Sequence, residues 1–440
     1  MPEDRIKVGF IGCGGIARSV YTGIYAALPE LAQVVAVADL VDDLAENRRQ
    51  VLQDAYRATA YGARAEADRA RAAEVRDAAL RKAAAADSAA AYDIRKYGSH
   101  EELLRDDELD MVCVLTPPSI RALPIVAAAE AGKHVFSEGP FAKSVEEADA
   151  IVAAIKKAGV KFHSQVMDRY PRGMVVAHHA IQRGLLGELG SASVELNSYR
   201  GQAYYGPVDE SGRGFLPKTW HGTWEGEGGG AVFHHGRYII DPFLWVVGSR
   251  VKEVFAYSGS MFRTIEHESL TQAIVKFENG ATGAIHASLV NHLSGSIPGL
   301  RGRITLLGSD AAIEIDQEYT LLDQAHSNLI VASQDNPEAA EAIQALQVEL
   351  ADYPEFITQE DQTRLFLESI VNDTEPLVPI EVPRHHVEVT RAIYQSAVEG
   401  GPVTLPLDKS SPFYSFEGKL SGGTATSPAR FSSGHPFRAS

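Results

Sequence analysis

The stretch "GFIGCGGIAR", residues 9–18, decides how the chain is read. It continues the apolar run "IKVGFIG" and contains Gly12-x-Gly14-x-x-Ala17. Gly12 suits a tight turn, Gly14 lets a pyrophosphate approach the backbone, and Ala17 lets the next helix pack against the strand. Gly15 and Ile16 complete the turn, so that a phosphate meets the free N–H groups and positive dipole end of a helix. A second apolar run, "VVAVADL", ends its strand on Asp39, 22 residues beyond Ala17. A carboxylate there accepts hydrogen bonds from the adenosine ribose and repels a 2′-phosphate. Leu40, Val41 and Asp42 follow it, with no arginine. The expected cofactor is NAD(H) rather than NADP(H).

Working outward, "MVCVLTPP" and "HVFSEGP" are further short apolar runs of the kind buried on both faces in a parallel sheet. Helical patterns such as "IRALPIVAAAEAGK" separate them. The expectation for residues 1–160 is a doubly wound α/β dinucleotide-binding Rossmann domain. Residues 44–96 interrupt it with a stretch rich in Ala, Arg and Glu that has few breakers beyond Gly62. It reads as one or two long helices, either packed by their alanine face or standing out in solvent.

From about residue 187 the texture changes to longer strands, including "LTQAIVKFENGATGAIHASLV", with a hairpin signal at Asn279–Gly280. Residues 161–410 are expected to form an α+β substrate and oligomerisation domain around an open, mostly antiparallel sheet. Helical patterns return in "QEDQTRLFLESIVND" and "RHHVEVTRAIYQSAVEGG". Residues 411–440, rich in Ser, Gly and Pro, read as an arm or loose tail.

The 440 residues carry a net charge of −17, which argues against nucleic acids and anionic membranes as partners. No apolar run approaches membrane-spanning length, and the first residues lack a signal-peptide pattern. The two cysteines, Cys13 and Cys113, lie in apolar strand contexts, which suits buried thiols in a reducing, cytoplasmic compartment. No His/Cys spacing reads as a metal site.

Several segments, in order, resemble the Gfo/Idh/MocA family of sugar and polyol oxidoreductases: "VGFIGCGGIA", "VVAVADL", "SHEELLRDDELDMVCVLTPPS", "AAEAGKHVFSEGPFAKSVEEAD", "GLLGELG", "GEGGGAVFHHGRYIIDPFLWVVG" and "PVTLPL". The resemblance implies a Rossmann domain, an open sheet often used for oligomer contacts, a nicotinamide cofactor, and a carbohydrate-like substrate between the domains. It implies cofactor contacts at Thr116, Pro117 and Glu138, beside those of the glycine turn and Asp39. A homodimer or homotetramer is the expected assembly.

Two motifs depart from the family. "SEGPFAKS" matches a Glu-Lys-Pro motif at Glu138 and Pro140, but Gly139 stands at the lysine, and Lys143 is four residues out of register. In "GGGAVFHHGRYIID", His234 falls at the family's first Asp, Tyr238 at its His, and Asp241 at its last Asp. After "VLTPPS", Arg121 replaces a frequent His. Residues i, i+4 and i+7 share a helix face, so His234, Tyr238 and Asp241 are the candidate catalytic set.

Oxidising an alcohol needs a base for the hydroxyl proton, ideally with a pKa near working pH. With no lysine at residue 139, His234 is the expected base. Tyr238 is a candidate donor or acid/base, and Asp241 a candidate to orient the histidine. Asp241 before Pro242 also reads as a helix N-cap. Candidate substrate contacts are Arg169 and Tyr170 in "HSQVMDRYP", then Lys218, Trp220, His221 and Trp224 in "GFLPKTWHGTW", and His235. Three functions stay open. They are an NAD-dependent sugar, glycoside or polyol dehydrogenase, a cofactor-retaining hydrolase, lyase or epimerase, and a silent nucleotide-binding protein.

Overall fold

A computed structural model of the protein describes residues 5–165, 171–212, 214–292, 300–319, 326–352, 358–376 and 378–420. The chain divides into two compact units. The first comprises Met1–Ala142, Glu147–Met167 and Ile357–Glu381, and the second Lys143–Glu146, Asp168–Phe356 and Val382–Ser440.

The first unit is built on six parallel strands: β1 Ile6–Ile11, β2 Ala32–Ala38, β3 Arg95–Tyr97, β4 Met111–Val114, β5 His134–Ser137 and β6 Phe162–Ser164. Their order is β3-β2-β1-β4-β5-β6, the doubly wound arrangement of a dinucleotide-binding fold. Every residue of β2 and β4 is buried, which is why these strands read as unbroken apolar runs. Val8, Phe10, Val34, Met111, Cys113 and Phe136 form the core with Tyr21 and Tyr25. Phe366 and Leu367, from the helix Gln359–Val371, join that core, and the Phe366 ring lies 5.9 Å from Phe136. The chain thus returns to the first unit after leaving it for nearly two hundred residues, a closure that local patterning does not announce.

The interruption is a helical hairpin, α2 Asp42–Arg69 and α3 Ala73–Ala91, following α1 Thr22–Ala27. In α2 the buried residues Ala45, Arg48, Leu52, Tyr56, Ala60, Ala63 and Ala67 recur at three- and four-residue spacing, so the alanine face packs. The hairpin is tied to the sheet. The Val34 N–H donates to the Tyr56 hydroxyl at 3.1 Å, and Arg5 Nη1 donates to the Ala85 carbonyl at 3.0 Å.

Among the described residues the second unit holds eight strands: β7 Leu189–Ser198, β8 Val251–Gly259, β9 Leu270–Phe277, β10 Thr282–Ser288, β11 Leu300–Gly308, β12 Ala312–Tyr319, β13 His326–Ala332 and β14 Val403–Thr404. The order is β13-β12-β11-β7-β10-β9-β8-β14. Only β7 and β10 pair in parallel among the described strands of this sheet. Asn279–Gly280 forms the β9–β10 turn, with Gly280 at φ +93°. Alternate residues of β9 are buried, and the others, Ile274 among them, face outward.

Residues 411–420 are packed rather than loose: Phe413, Tyr414 and Leu420 are buried, and Trp224 Nε1 donates to the Leu420 carbonyl at 3.2 Å. The rest of the expected tail, 421–440, lies outside the described residues.

Candidate active site

The glycine turn leaves β1 with Gly12 at φ +97°, a conformation that favours glycine. A Cβ on Gly12 would lie 2.9 Å from Thr116 N and 3.0 Å from the Leu115 carbonyl carbon. Around Gly14 and Gly15, by contrast, an added Cβ would meet nothing within 4 Å. That open backbone leads into the helical turn where Arg18 N donates to Gly14 O at 3.1 Å, with Ala17 fully buried. It is the cradle a pyrophosphate requires.

Asp39 follows β2 and braces the turn: its Oδ2 accepts from Cys13 N at 2.8 Å and its Oδ1 from Val41 N at 2.9 Å. Each oxygen keeps a further lone pair for ribose hydroxyls. Leu40 beside it is 79% exposed and brings no positive charge. These residues fit NAD. A contribution absent from the sequence reading is Arg48 on α2, fully buried, which donates to Thr22 Oγ1 at 3.1 Å and to the Cys13 carbonyl at 3.4 Å.

The strand ends beside the turn are cross-tied. Arg121 donates from Nε to the Thr116 carbonyl at 3.0 Å and from Nη1 to the Pro140 carbonyl at 2.6 Å, so it holds the loops after β4 and β5 together. Thr116 Oγ1 is buried with no hydrogen-bond partner among the described residues and is a group for a ligand to use. Glu138 accepts from the Tyr21 hydroxyl at 2.7 Å and from Gly139 N at 3.2 Å. Burial and the neighbouring Glu138 push the Tyr21 hydroxyl well above its usual pKa, so Tyr21 remains the donor. Lys143 is engaged elsewhere: its Nζ pairs with Glu225 at 2.9 Å and lies 4.5 Å from the Phe416 ring centroid.

In the second unit, imidazoles gather around one carboxylate. Glu227 ends the short helix Trp224–Glu227, which is capped by Thr223 Oγ1 accepting from Gly226 N at 3.1 Å. The Glu227 side chain is 0% exposed. Its Oε2 accepts from Gly222 N and pairs with His267 Nε2, both at 2.7 Å. Its Oε1 lies 3.4 Å from His221 Nδ1, 3.7 Å from His234 Nδ1 and 3.9 Å from His235 Nε2. Burial alone raises a carboxyl pKa, but the charged His267 and the hydrogen bonds from His221 and His267 hold Glu227 well below the usual range. For His267, burial lowers the pKa and Glu227 overrides it, leaving it raised. His234 and His235 go the other way. Burial pushes both well down, aided by Arg237 at His234 and Arg200 at His235, so both are neutral.

The turn carrying the His pair is pinned from behind. Glu268 accepts from Gly230 N at 3.0 Å, Val232 N at 3.0 Å and the Tyr394 hydroxyl at 3.0 Å. Gly230 passes so close to His267 that a Cβ would lie 2.5 Å from its Nδ1. The Trp220 ring lies 3.7 Å from His221 and 5.4 Å from His234, and Tyr204 lies 4.8 Å from His221. Arg237 Nη2 donates to the Tyr238 hydroxyl at 2.6 Å.

Two family models match the chain: "Oxidoreductase family, NAD-binding Rossmann fold" over residues 57–166 and "Oxidoreductase family, C-terminal alpha/beta domain" over residues 178–405. The chain belongs to the Gfo/Idh/MocA oxidoreductase family. Its relatives include an uncharacterized oxidoreductase of Rhizobium meliloti, 25% identical over 313 residues, 71% of this chain and 84% of that protein. A 2,7-anhydro-N-acetylneuraminate hydratase of Escherichia coli is 26% identical over 212 residues, 45% of this chain and 54% of that protein. A myo-inositol 2-dehydrogenase of Thermotoga maritima is 26% identical over 233 residues, 50% of this chain and 61% of that protein. The last two alignments thus span less than two thirds of those relatives. The fold matches the WlbA dehydrogenase of Chromobacterium violaceum, solved with NADH and UDP-GlcNAcA. The TM-score is 0.66 at 22% identity, over 93% of this chain and 98% of that one.

As a Gfo/Idh/MocA protein the chain has an NAD-binding Rossmann domain as its first unit. In its second unit the geometry reorders the candidates drawn from sequence. His234, His235, His221 and Trp220 come together. His234, Tyr238 and Asp241 do not share one helix. His234 sits in a turn, Tyr238 in the single 3-10 turn Gly236–Tyr238, and Asp241 in the first turn of the helix Ile240–Val247. Ile239, at φ −132° and ψ −33°, breaks the helical path between them. Ile239 is also the N-cap, so Asp241 is not. Lys218 donates to the Ala203 carbonyl at 3.0 Å on the surface, and Trp224 is a buried packing residue. Arg169 and Tyr170 lie outside the described residues. Sequence reading missed Glu227, His267, Tyr204 and Arg237. Only Glu227, set among glycines four residues before Ala231, carried a local signal. Among the described residues no group of three or more His, Cys, Asp or Glu side chains has the geometry to hold a metal ion. No described helix is long and apolar enough to cross a membrane.

Proposed function

We propose that this protein oxidises a hydroxyl of a sugar, glycoside or polyol with NAD, and that His234 is the base. The observation that supports this is a neutral, buried imidazole beside a buried carboxylate, in a chain whose Gly139 offers no side chain for acid–base work. Bound NAD supplies the hydride acceptor. The turn from Gly12 through Gly14, Gly15 and Ile16 to Ala17 receives the pyrophosphate, Asp39 the ribose, and Thr116, Pro117 and Glu138 border the nicotinamide end. His234 takes the hydroxyl proton as the carbonyl forms. Tyr238, whose oxygen accepts from Arg237, keeps its own proton to donate to a substrate oxygen. Trp220, His221 and His235 contact the sugar, with Arg169, Tyr170 and Lys218 as further contacts.

A redox-neutral variant, in which the cofactor oxidises transiently and is restored, has one specific support: the likeness to a hydratase over about half of each chain. The two are separated by denaturing the pure protein, quantifying released NAD(H), and following NADH absorbance with a panel of glycosides and polyols plus external NAD. Net NADH growth, reduced about 100-fold or more in kcat by His234→Ala, is the expected result. Substrate consumption with retained NAD and no NADH establishes the redox-neutral cycle instead. The proposal extends to a cytoplasmic homodimer or homotetramer, supported by two free buried cysteines and by the outward Tyr257 and Ile274 on the open sheet.

A further inference from the structure

We propose that Glu227 is the positioning residue that fixes His234 as its Nδ1–H tautomer, with His267 as the partner that holds the other Glu227 oxygen. The assignment rests on the reading of His234 as base, since it names what aims that base. It follows from how the two Glu227 oxygens are used. Oε2 is filled by two short bonds, from Gly222 N and His267 Nε2, both at 2.7 Å. Oε1 has only longer neighbours, the rings of His221, His234 and His235 at 3.4 to 3.9 Å. Its accepting capacity is therefore directed at these three imidazoles.

Among the described residues, Glu227 is the carboxylate within 4 Å of His234. His234 Nδ1 is buried and has no hydrogen-bond partner among the described residues. A buried ring nitrogen beside a carboxylate is far better as an N–H than as a lone pair, because a lone pair there would face negative charge. The proton therefore belongs on Nδ1, which leaves Nε2 as the lone-pair nitrogen able to accept a substrate proton. At 3.7 Å the pair is longer than a hydrogen bond. Such contacts shorten when the ring becomes cationic in the reacting complex.

His267 explains why Glu227 is available as an anion at all. A lone buried carboxylate would take up a proton and lose its directing power. His267, itself 0% exposed, supplies the opposite charge, and its Nδ1 sits 3.2 Å from the Glu268 carbonyl, which fixes the ring plane. The carboxylate thus keeps its charge without drawing on His234. Asp241, which the sequence put forward for the orienting role, lies on a separate helix.

The test is the protonation pattern of the histidine rings in the full-length protein, read from long-range proton–nitrogen spectra at neutral pH and assigned with His234→Asn and His267→Gln. His234 is expected as a single Nδ1–H tautomer, and His267 as a doubly protonated ring. In Glu227→Gln, His267 loses its charge and the single tautomer of His234 is lost. In His267→Gln, Glu227 loses its counter-ion and takes up a proton, so the single tautomer of His234 is lost there too. An Nε2–H tautomer of His234 in the unsubstituted protein overturns the assignment, as does an unchanged His234 signal in Glu227→Gln. If Glu227→Gln does not fold, the unsubstituted protein and His267→Gln decide the matter by themselves. The spectra use no sugar, so a failure of the NADH assay and a failure of this assignment are read separately.

Discussion

Gly12 and Gly14 stand two residues apart and are required for different reasons. Gly12 is needed by the fold: its φ of +97° and the nearby Thr116 N leave no room for a side chain. Gly14 faces open space and is needed by the ligand. Gly12→Ala should therefore cost about 1–3 kcal/mol in unfolding free energy, while Gly14→Ala should leave the melting temperature unchanged and weaken NAD binding at least tenfold. Calorimetric melting and NAD titration of both variants check the contrast, and a destabilised Gly14→Ala would contradict it. At this scale the sequence was most legible for the cofactor, because a glycine turn is set by local sterics. The His cluster was half legible. His221, His234 and His235 are near in the chain and were singled out, but Glu227 meets His267 across forty residues, and no spacing rule spans that distance.

The turn that bears His234 and His235 is an element with few internal bonds, and Glu268 supplies what it lacks. Replacing Glu268 by Met keeps the volume but takes both acceptor oxygens away from the Gly230 and Val232 N–H groups. A buried N–H left without an acceptor costs about 1–3 kcal/mol. The unfolding free energy of Glu268→Met from urea titration should fall by at least that amount with the m-value unchanged, and an unaltered value would sink the idea. The strands and helices around this turn were largely readable. The α2–α3 hairpin followed from its alanine-rich composition, and β9–β10 from Asn279–Gly280. The helix face drawn across His234, Tyr238 and Asp241 fails at Ile239; Asp241–Pro242 did signal a helix start, since Pro242 has no N–H to give the preceding turn, but it put the N-cap two residues too late.

Several of the described histidines are buried, and that gives the whole molecule's stability a pH signature. His134, His178, His234, His235, His286 and His385 all have pKa values pushed down first of all by burial. Below the unfolded value of about 6.5 the unfolded chain binds protons that the folded chain refuses, so stability falls with pH. For the fully buried His234 and His235 the slope is up to about 1.4 kcal/mol per pH unit each. His267 has the opposite sign: its contribution is present below about 6.5 and is lost as pH rises through its raised folded value. Unfolding free energy should therefore drop between pH 7 and 5, and His234→Asn or His235→Asn should flatten the drop. A profile equally steep in both variants would refute the assignment.

The sequence by itself determined the doubly wound first unit, the preference for NAD, the second sheet and the family, because each rests on short-range rules: strand periodicity, glycine sterics and a single acidic residue at a strand end. Only the tertiary structure decided that the helix Gln359–Val371 closes the first unit's core, that Arg48 supports the glycine turn, and that Glu227, rather than Asp241, lies against His234. These depend on which side chains burial brings together, and the desolvation that makes a buried charge or imidazole functional exists only after the chain has closed around it.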